Sequence, residues 1–198
     1  AWKGLGPSLV SASSFCEARQ KLSYEAFEYL LERANLEESR KGRFKGHRVR
    51  AVDGTNLSLS YSKEIEDRFP RYSNQGQKAH YPKARVVVAS NIVTGQPTSC
   101  VLDDARGSER ELLKQLITEK FKPGDLSILD RGFEGKAVWS VFESHNQYYI
   151  NRLKLPAASK KNSYIRKFIN SGALDQEVEL KVDQSLIKVR LIRGPELK

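Results

Sequence analysis

The sequence predicts an α/β fold: a mixed sheet that opens with three antiparallel strands, carries flanking helices and runs into the beginning of a separate β-rich region. Three observations lead there. Short apolar runs rich in β-branched residues, at 49–52, 86–88 and 126–129, are too brief for helices. Thr94-Gly95 marks a turn that folds the second run back as a hairpin. Helical and strand patterns then alternate, as expected of parallel strands joined by helical crossovers.

The elements follow in order. Ser14 and Glu17 form a capping-box pattern, and Phe27, Leu30, Leu31 and Ala34 recur at helical spacing. We expect one helix ending near residues 35–39. A basic link at 41–47 leads to an extended stretch marked by Val49, Ala51, Val52, Leu57 and Leu59, broken at Asp53-Gly54. Residues 61–81 have turn formers and little periodicity, so they read as a loop. Val86-Val87-Val88 has the composition of a buried strand, and residues 97–102 return beside it. Ser108 and Glu111 repeat the capping box ahead of Leu112, Leu113, Leu116 and Ile117, an amphipathic helix. Residues 126–129 form a strand that delivers Asp130. Residues 137–144 form a helix with Val138, Val141 and Phe142 turned inward and Trp139 in the core, and 148–150 the next strand. Three antiparallel strands followed by helix, strand, helix, strand is the RNase H-like order. Runs at 178–182 and 187–192 flank Asp183-Gln184-Ser185 as a second hairpin. The predicted partition is a helical lead-in at 1–46, the first part of an RNase H-like core at 47–154, and a β-rich region starting at 155–198.

Composition narrows the function. The 198 residues carry a net charge of +10, which favours a polyanionic partner. Residues 68–102 hold five Lys or Arg and residues 144–174 hold six, with no acid in either stretch. They form a candidate track for a phosphate backbone, the alternative being solvated loops. No run approaches the ~18 apolar residues of a membrane helix, and no membrane role is expected. Cys16 and Cys100 have no metal-ligand spacing, which fits a reduced, cytoplasmic setting. The chain has no Met and stops six residues after a strand pattern, so we expect a fragment cut at both ends.

Asp53 and Asp130 each end or interrupt an apolar strand run, on strands that the topology sets side by side. Either carboxylate alone has an ordinary explanation as a turn cap. As a pair they offer hard oxygen ligands to Mg²⁺, and two such ions can activate an attacking oxygen and stabilise a leaving one. His47, His80 and His145 lack ligand spacing, and no Gly-rich phosphate loop or nucleophile elbow is present. Asp103-Asp104 reads as an acidic loop.

The segments AVDGTNLSL at 51–59 and GDLSILDRGF at 124–133 resemble the two Asp-bearing motifs of DDE transposases of bacterial insertion sequences. The branch is the insertion-sequence-four type, which carries a β-rich insertion between its second Asp and its Glu. ARQKLSYEAFEYL at 18–30, YPKARVVVASNIVTGQP at 81–97 and YYINRLK at 148–154 fit in the same order. The resemblance implies a retroviral integrase-like core, with Asp53 and Asp130 as two of three catalytic acids holding two Mg²⁺ or Mn²⁺ ions. It also implies nicking at transposon ends, strand transfer to target DNA, a nucleoid-associated bacterial setting, and a homodimer on double-stranded DNA. The family's Glu helix has no counterpart in this sequence, so this segment alone is expected to be inactive. Glu134 and Glu143 are weak substitutes. Arg152, Lys154, Lys83 and Arg85 are candidate DNA contacts. Arg131 either contacts the scissile phosphate or braces a carboxylate, and Tyr164 and Phe168 either stack on a base or pack in the core. The rival expectations are a hydrolytic RNase H-like nuclease and a DNA-binding remnant without activity.

Overall fold

The computed structural model describes residues 11–38, 42–71, 80–157 and 163–194. The predicted basic stretches fall partly outside these residues, at 72–79 and 158–162. The chain divides into two compact units, Ala1–Lys41 and Gly42–Lys198.

Among the described residues the first unit holds two helices where the sequence predicts one. Helix α1 spans Ala12–Gln20 and α2 spans Glu25–Glu38. The cap of α1 is Ser11, whose hydroxyl accepts from the Ser14 N–H at 3.1 Å. Ser14 therefore lies inside the first turn. The break at 21–24 has a local cause: the Ser23 hydroxyl accepts from the Glu25 N–H and starts the second helix. The predicted apolar face is only partly inward within the described residues, with Leu31 and Ala34 half-buried and Phe27 and Leu30 exposed.

The second unit is built on a sheet. Its strands are β1 (Arg43–Phe44), β2 (His47–Ser58), β3 (Lys83–Asn91), β4 (Pro97–Asp104), β5 (Leu126–Leu129) and β6 (Tyr148–Asn151). Helix α3 (Lys63–Arg68) follows β2, inside the predicted loop, because the Ser62 hydroxyl caps the Ile65 N–H. The main sheet order is β4-β3-β2-β5-β6, and β1 pairs with the start of β2. β2, β3 and β4 are antiparallel, whereas β2–β5 and β5–β6 are parallel. This is the RNase H-like arrangement expected from the sequence. β2 is not broken at Asp53-Gly54: it pairs with β3 from Arg50 to Ser58.

Helices α4 (Glu109–Glu119) and α5 (Lys136–Ser144) cover one face of the sheet. Leu113, Leu116 and Ile117 of α4 and Phe142 of α5 are fully buried against Val52, Val87, Ala89 and Leu129. Truncating any of these leucines costs about 2–5 kcal/mol, the usual penalty of a core cavity. Ser108 stands at the cap of α4 as predicted, but its side chain makes no capping bond. A second core joins this layer to helix α6 (Tyr164–Asn170) and the hairpin of β7 (Asp175–Val182) and β8 (Ser185–Ile192). α6 was not expected; Ser163 caps it by accepting from the Arg166 N–H. Trp139 of α5 packs with Phe168, Leu180, Ile187, Val189 and Leu191 in this core, so Phe168 is a packing residue.

Candidate functional site

Strand register places the two aspartates. The parallel ladder between β2 and β5 ends at Val52↔Leu129. One residue further along each strand stand Asp53 and Asp130. Val52 and Leu129 face the helices, so alternation turns Asp53 to the opposite face. There it lies across from Val88. Asp130 leaves the ladder with extended backbone at φ −77°, ψ 172° and leads into a 3₁₀ turn at Arg131–Phe133.

Both aspartates are exposed. Each stands one step past the last parallel pair, Asp53 mid-way along β2 and Asp130 just beyond β5. Asp53 Oδ1 accepts from the Gly54 N–H at 2.8 Å. The Asp130 side chain makes no capping bond in its turn. Such carboxylates fit a hard, oxygen-ligated divalent ion as part of its donor set. The set is incomplete: among the described residues no group of three or more His, Cys, Asp or Glu is arranged to hold a metal.

Of the other acids singled out from the sequence, Glu134, Asp103 and Asp104 are otherwise engaged. Glu134 Oε2 accepts from the Lys154 N–H at 2.7 Å. Glu143 is exposed on α5, and partial desolvation raises its pKa above the usual carboxylate range. Asp103 pairs with Arg68 at 3.5 Å. Asp104 binds the backbone and guanidinium of Arg106, and these bonds hold its pKa below the usual range.

The candidate DNA contacts separate into two sets. Arg131 lies in the turn after Asp130, and Arg152 directly follows β6 with its N–H on the Leu129 carbonyl at 3.0 Å. These two and Lys154 are exposed close to the Asp130 strand end. Lys83 and Arg85 lie on β3 and are half-buried. Arg85 is held in place: its Nη1 donates to the Gly107 carbonyl at 2.7 Å, and its Nε lies 3.3 Å from Asn56 Oδ1 and 3.8 Å from Glu109. Tyr164 packs edge-on against Trp139, and burial first, then Glu134, pushes its pKa up to about 12.

Sequence reasoning missed three features. Glu109, at the start of α4, fills the space beside Gly54: a Cβ there would stand 2.7 Å from its carboxyl carbon. Its Oε2 also lies 3.7 Å from the position of a Cβ on Gly132. The signal available was the glycine that follows each aspartate motif. The second feature is Asp125, 2% exposed, which binds Arg48 at 2.8 Å, Arg50 at 3.1 Å and the Lys122 N–H at 2.9 Å. Burial lowers the Arg50 pKa, Asp125 opposes that, and Arg48 adds to it. Arg50 also lies over the Phe121 ring at 4.4 Å. The third is Asn151, discussed below.

A mixed sheet in this order, with two carboxylates just past the end of its central parallel ladder, defines the RNase H-like class. Within it, residues 44–192 match the family model described as the transposase DDE domain. The chain belongs to that family. It is similar to the transposase InsG of insertion sequence element IS4 from Escherichia coli (strain K12), with 26% identity over 147 residues, 71% of this chain and 33% of that protein. The chain thus spans about a third of the length of this curated relative. Among solved structures it is similar to a piggyBac transposase synaptic complex with hairpin DNA (TM-score 0.41, 12% identity, 59% of this chain and 26% of that one). It is also similar to a Mos1 transposase paired-end complex with a left transposon end (TM-score 0.34, 14% identity, 73% of this chain and 51% of that one). Among the described residues no helix is long and apolar enough to cross a membrane.

Proposed function

We propose that this chain is the front part of a DNA transposase catalytic core, with Asp53 and Asp130 contributing two of the acids that hold divalent metal. The observation that carries the reading is the register: the β2–β5 ladder ends one residue before both aspartates, which sets two exposed carboxylates on adjacent chains just past its last pair. The Transposase DDE domain match over residues 44–192 supports the same assignment.

Bound Mg²⁺ or Mn²⁺, as a pair of ions, would supply Lewis-acid activation of phosphate and water. The chain's own residues hold and orient. Asp53 and Asp130 supply oxygen ligands from backbone held by the sheet on either side of the ladder's end. Arg131, Arg152 and Lys154, exposed around Asp130, bind DNA phosphates, as the net charge of +10 favours. Arg85, tied to Gly107, Asn56 and Glu109, braces the sheet, with Lys83 beside it as a peripheral phosphate contact. The whole protein would act on transposon ends and target DNA as a homodimer in the bacterial cytoplasm. A third acid would come from outside the described residues, and without it this segment is inactive. That incompleteness also sustains the second reading, a DNA-binding remnant without cleavage.

The test is Mn²⁺ binding by calorimetry on this chain and on Asp53→Ala and Asp130→Ala, together with end cleavage by the longer gene product. Loss of Mn²⁺ binding in both variants, and of metal-dependent cleavage in the long protein, is expected. Unchanged Mn²⁺ binding by the long protein lacking either aspartate would refute the assignment. Metal binding without cleavage would leave the remnant reading in possession, and cleavage without strand transfer would point to a nuclease.

A further inference from the structure

We propose that Asn151 is a positioning residue for Asp130, and that the β-rich layer acts on the candidate metal site through it; the inference rests on the reading of Asp130 as a metal ligand. Asn151 ends β6 and pairs with Leu129, the last residue of β5. Its Nδ2 donates to the carbonyl of Asp130 at 2.8 Å, with the carbonyls of Leu129 at 3.3 Å and Arg152 at 3.4 Å alongside. Its Oδ1 accepts from the Trp139 indole N–H at 2.9 Å. The orientation of this amide follows from chemistry. An indole N–H only donates and backbone carbonyls only accept, so Oδ1 must face Trp139 and Nδ2 the carbonyls.

The consequence for Asp130 is direct. Its carbonyl also accepts from the Phe133 N–H at 3.1 Å, so two donors fix the peptide that follows the carboxylate-bearing residue. Holding that carbonyl from beyond, with the β5 ladder behind it, restrains the Cα of Asp130 from which its side chain projects. Asp130 itself has no side-chain capping bond to hold it. Asn151 on the neighbouring strand therefore shares with the Phe133 N–H in holding the backbone of this acid.

Asn151 is in turn held by the β-rich layer. Trp139 is 2% exposed, stacked with Tyr149 at 6.1 Å and meeting Tyr164 edge-on at 6.4 Å. Phe168 of α6 and Leu180, Ile187, Val189 and Leu191 of the β7–β8 hairpin complete its surroundings. The hairpin and α6 thus hold the indole whose N–H anchors Asn151. Outer partners of this kind orient metal ligands, and their loss typically weakens metal affinity about 10–100-fold.

The test uses the whole chain and two readouts. In Asn151→Ala the Phe133 amide should exchange about five- to tenfold faster, the effect of losing one hydrogen bond, while amides in β3 and α4 keep their rates. The Mn²⁺ concentration that half-broadens NMR signals around Asp53 and Asp130 should rise about tenfold. Asn151→Asp, nearly isosteric, keeps the acceptor for Trp139 but puts a carboxylate against carbonyl oxygens, and should match or exceed the loss. Trp139→Phe should give a smaller loss of the same sign, with no further loss when combined with Asn151→Ala. An unchanged Phe133 rate in both Asn151 variants overturns the inference, as does a rise shared by every protected amide. Should Asp53→Ala and Asp130→Ala respond to Mn²⁺ like the unmutated chain, the metal-site reading falls, and Phe133 exchange alone decides the positioning role.

Discussion

Replacing Asp125 with Ala removes the buried clamp at the other end of the ladder that sets Asp53 beside Asp130. Asp125 precedes β5, and its carboxylate ties to Arg48 and Arg50 of β2 at 2.8 and 3.1 Å. Those residues flank Val49, which pairs with Leu126 at the start of the parallel ladder. The Arg50 side chain is 7% exposed and its Nη1 has no hydrogen-bond partner among the described residues, so Asp125 is its main compensation besides the Phe121 ring. Breaking a buried pair from one side leaves an uncompensated charge and costs about 3–5 kcal/mol. In a domain of this size each kcal/mol moves Tm by about 2–4 °C, so Asp125→Ala should lower Tm by about 6–20 °C. The assay is thermal and urea unfolding followed by circular dichroism at pH 7. Adding Arg50→Met, which removes the stranded charge but keeps apolar bulk over Phe121, should recover most of the loss. Arg48, more exposed, can turn to water. A cost below about 1 kcal/mol for Asp125→Ala, or a double variant as unstable as the sum of the singles, would refute the clamp.

Gly54→Ala should displace the Glu109 carboxyl from beside the strand and weaken its contact with Arg85, for a cost of roughly 1 kcal/mol in urea unfolding. In a Glu109→Ala background the same change should add little, because the space is then free. Tyr164 has its folded pKa raised to about 12 by burial. The neutral phenol is favoured in the fold, so its contribution is complete below the ordinary tyrosine pKa of about 10 and fades as pH rises through about 12. An ultraviolet phenolate titration should show this tyrosine ionising late, and Tyr164→Phe should move the midpoint of alkaline unfolding upward.

Much of the molecule is legible in the sequence because its signals are local. β-branched runs, Thr94-Gly95 and the spacing of Leu112, Leu113, Leu116 and Ile117 report strand, turn and helix within a few residues of themselves. The two aspartate motifs stand out for the same reason, since an acid at the end of an apolar run is visible without neighbours. The split of the first helix turned on one hydroxyl, Ser23, a competition that periodicity does not register.

What tertiary structure decided is everything that depends on residues far apart in the chain. Asp125 meets Arg48 and Arg50 across 77 and 75 positions. Glu109 meets Gly54, and Asn151 meets the Asp130 carbonyl from another strand. The sequence alone determined an α/β chain with two candidate acids on strands able to lie side by side. Register, which no local pattern encodes, decided that both carboxylates stand exposed just past the parallel ladder, that Arg85 is tied down, and that a tryptophan packed on the β-rich layer reaches the end of β5 through Asn151.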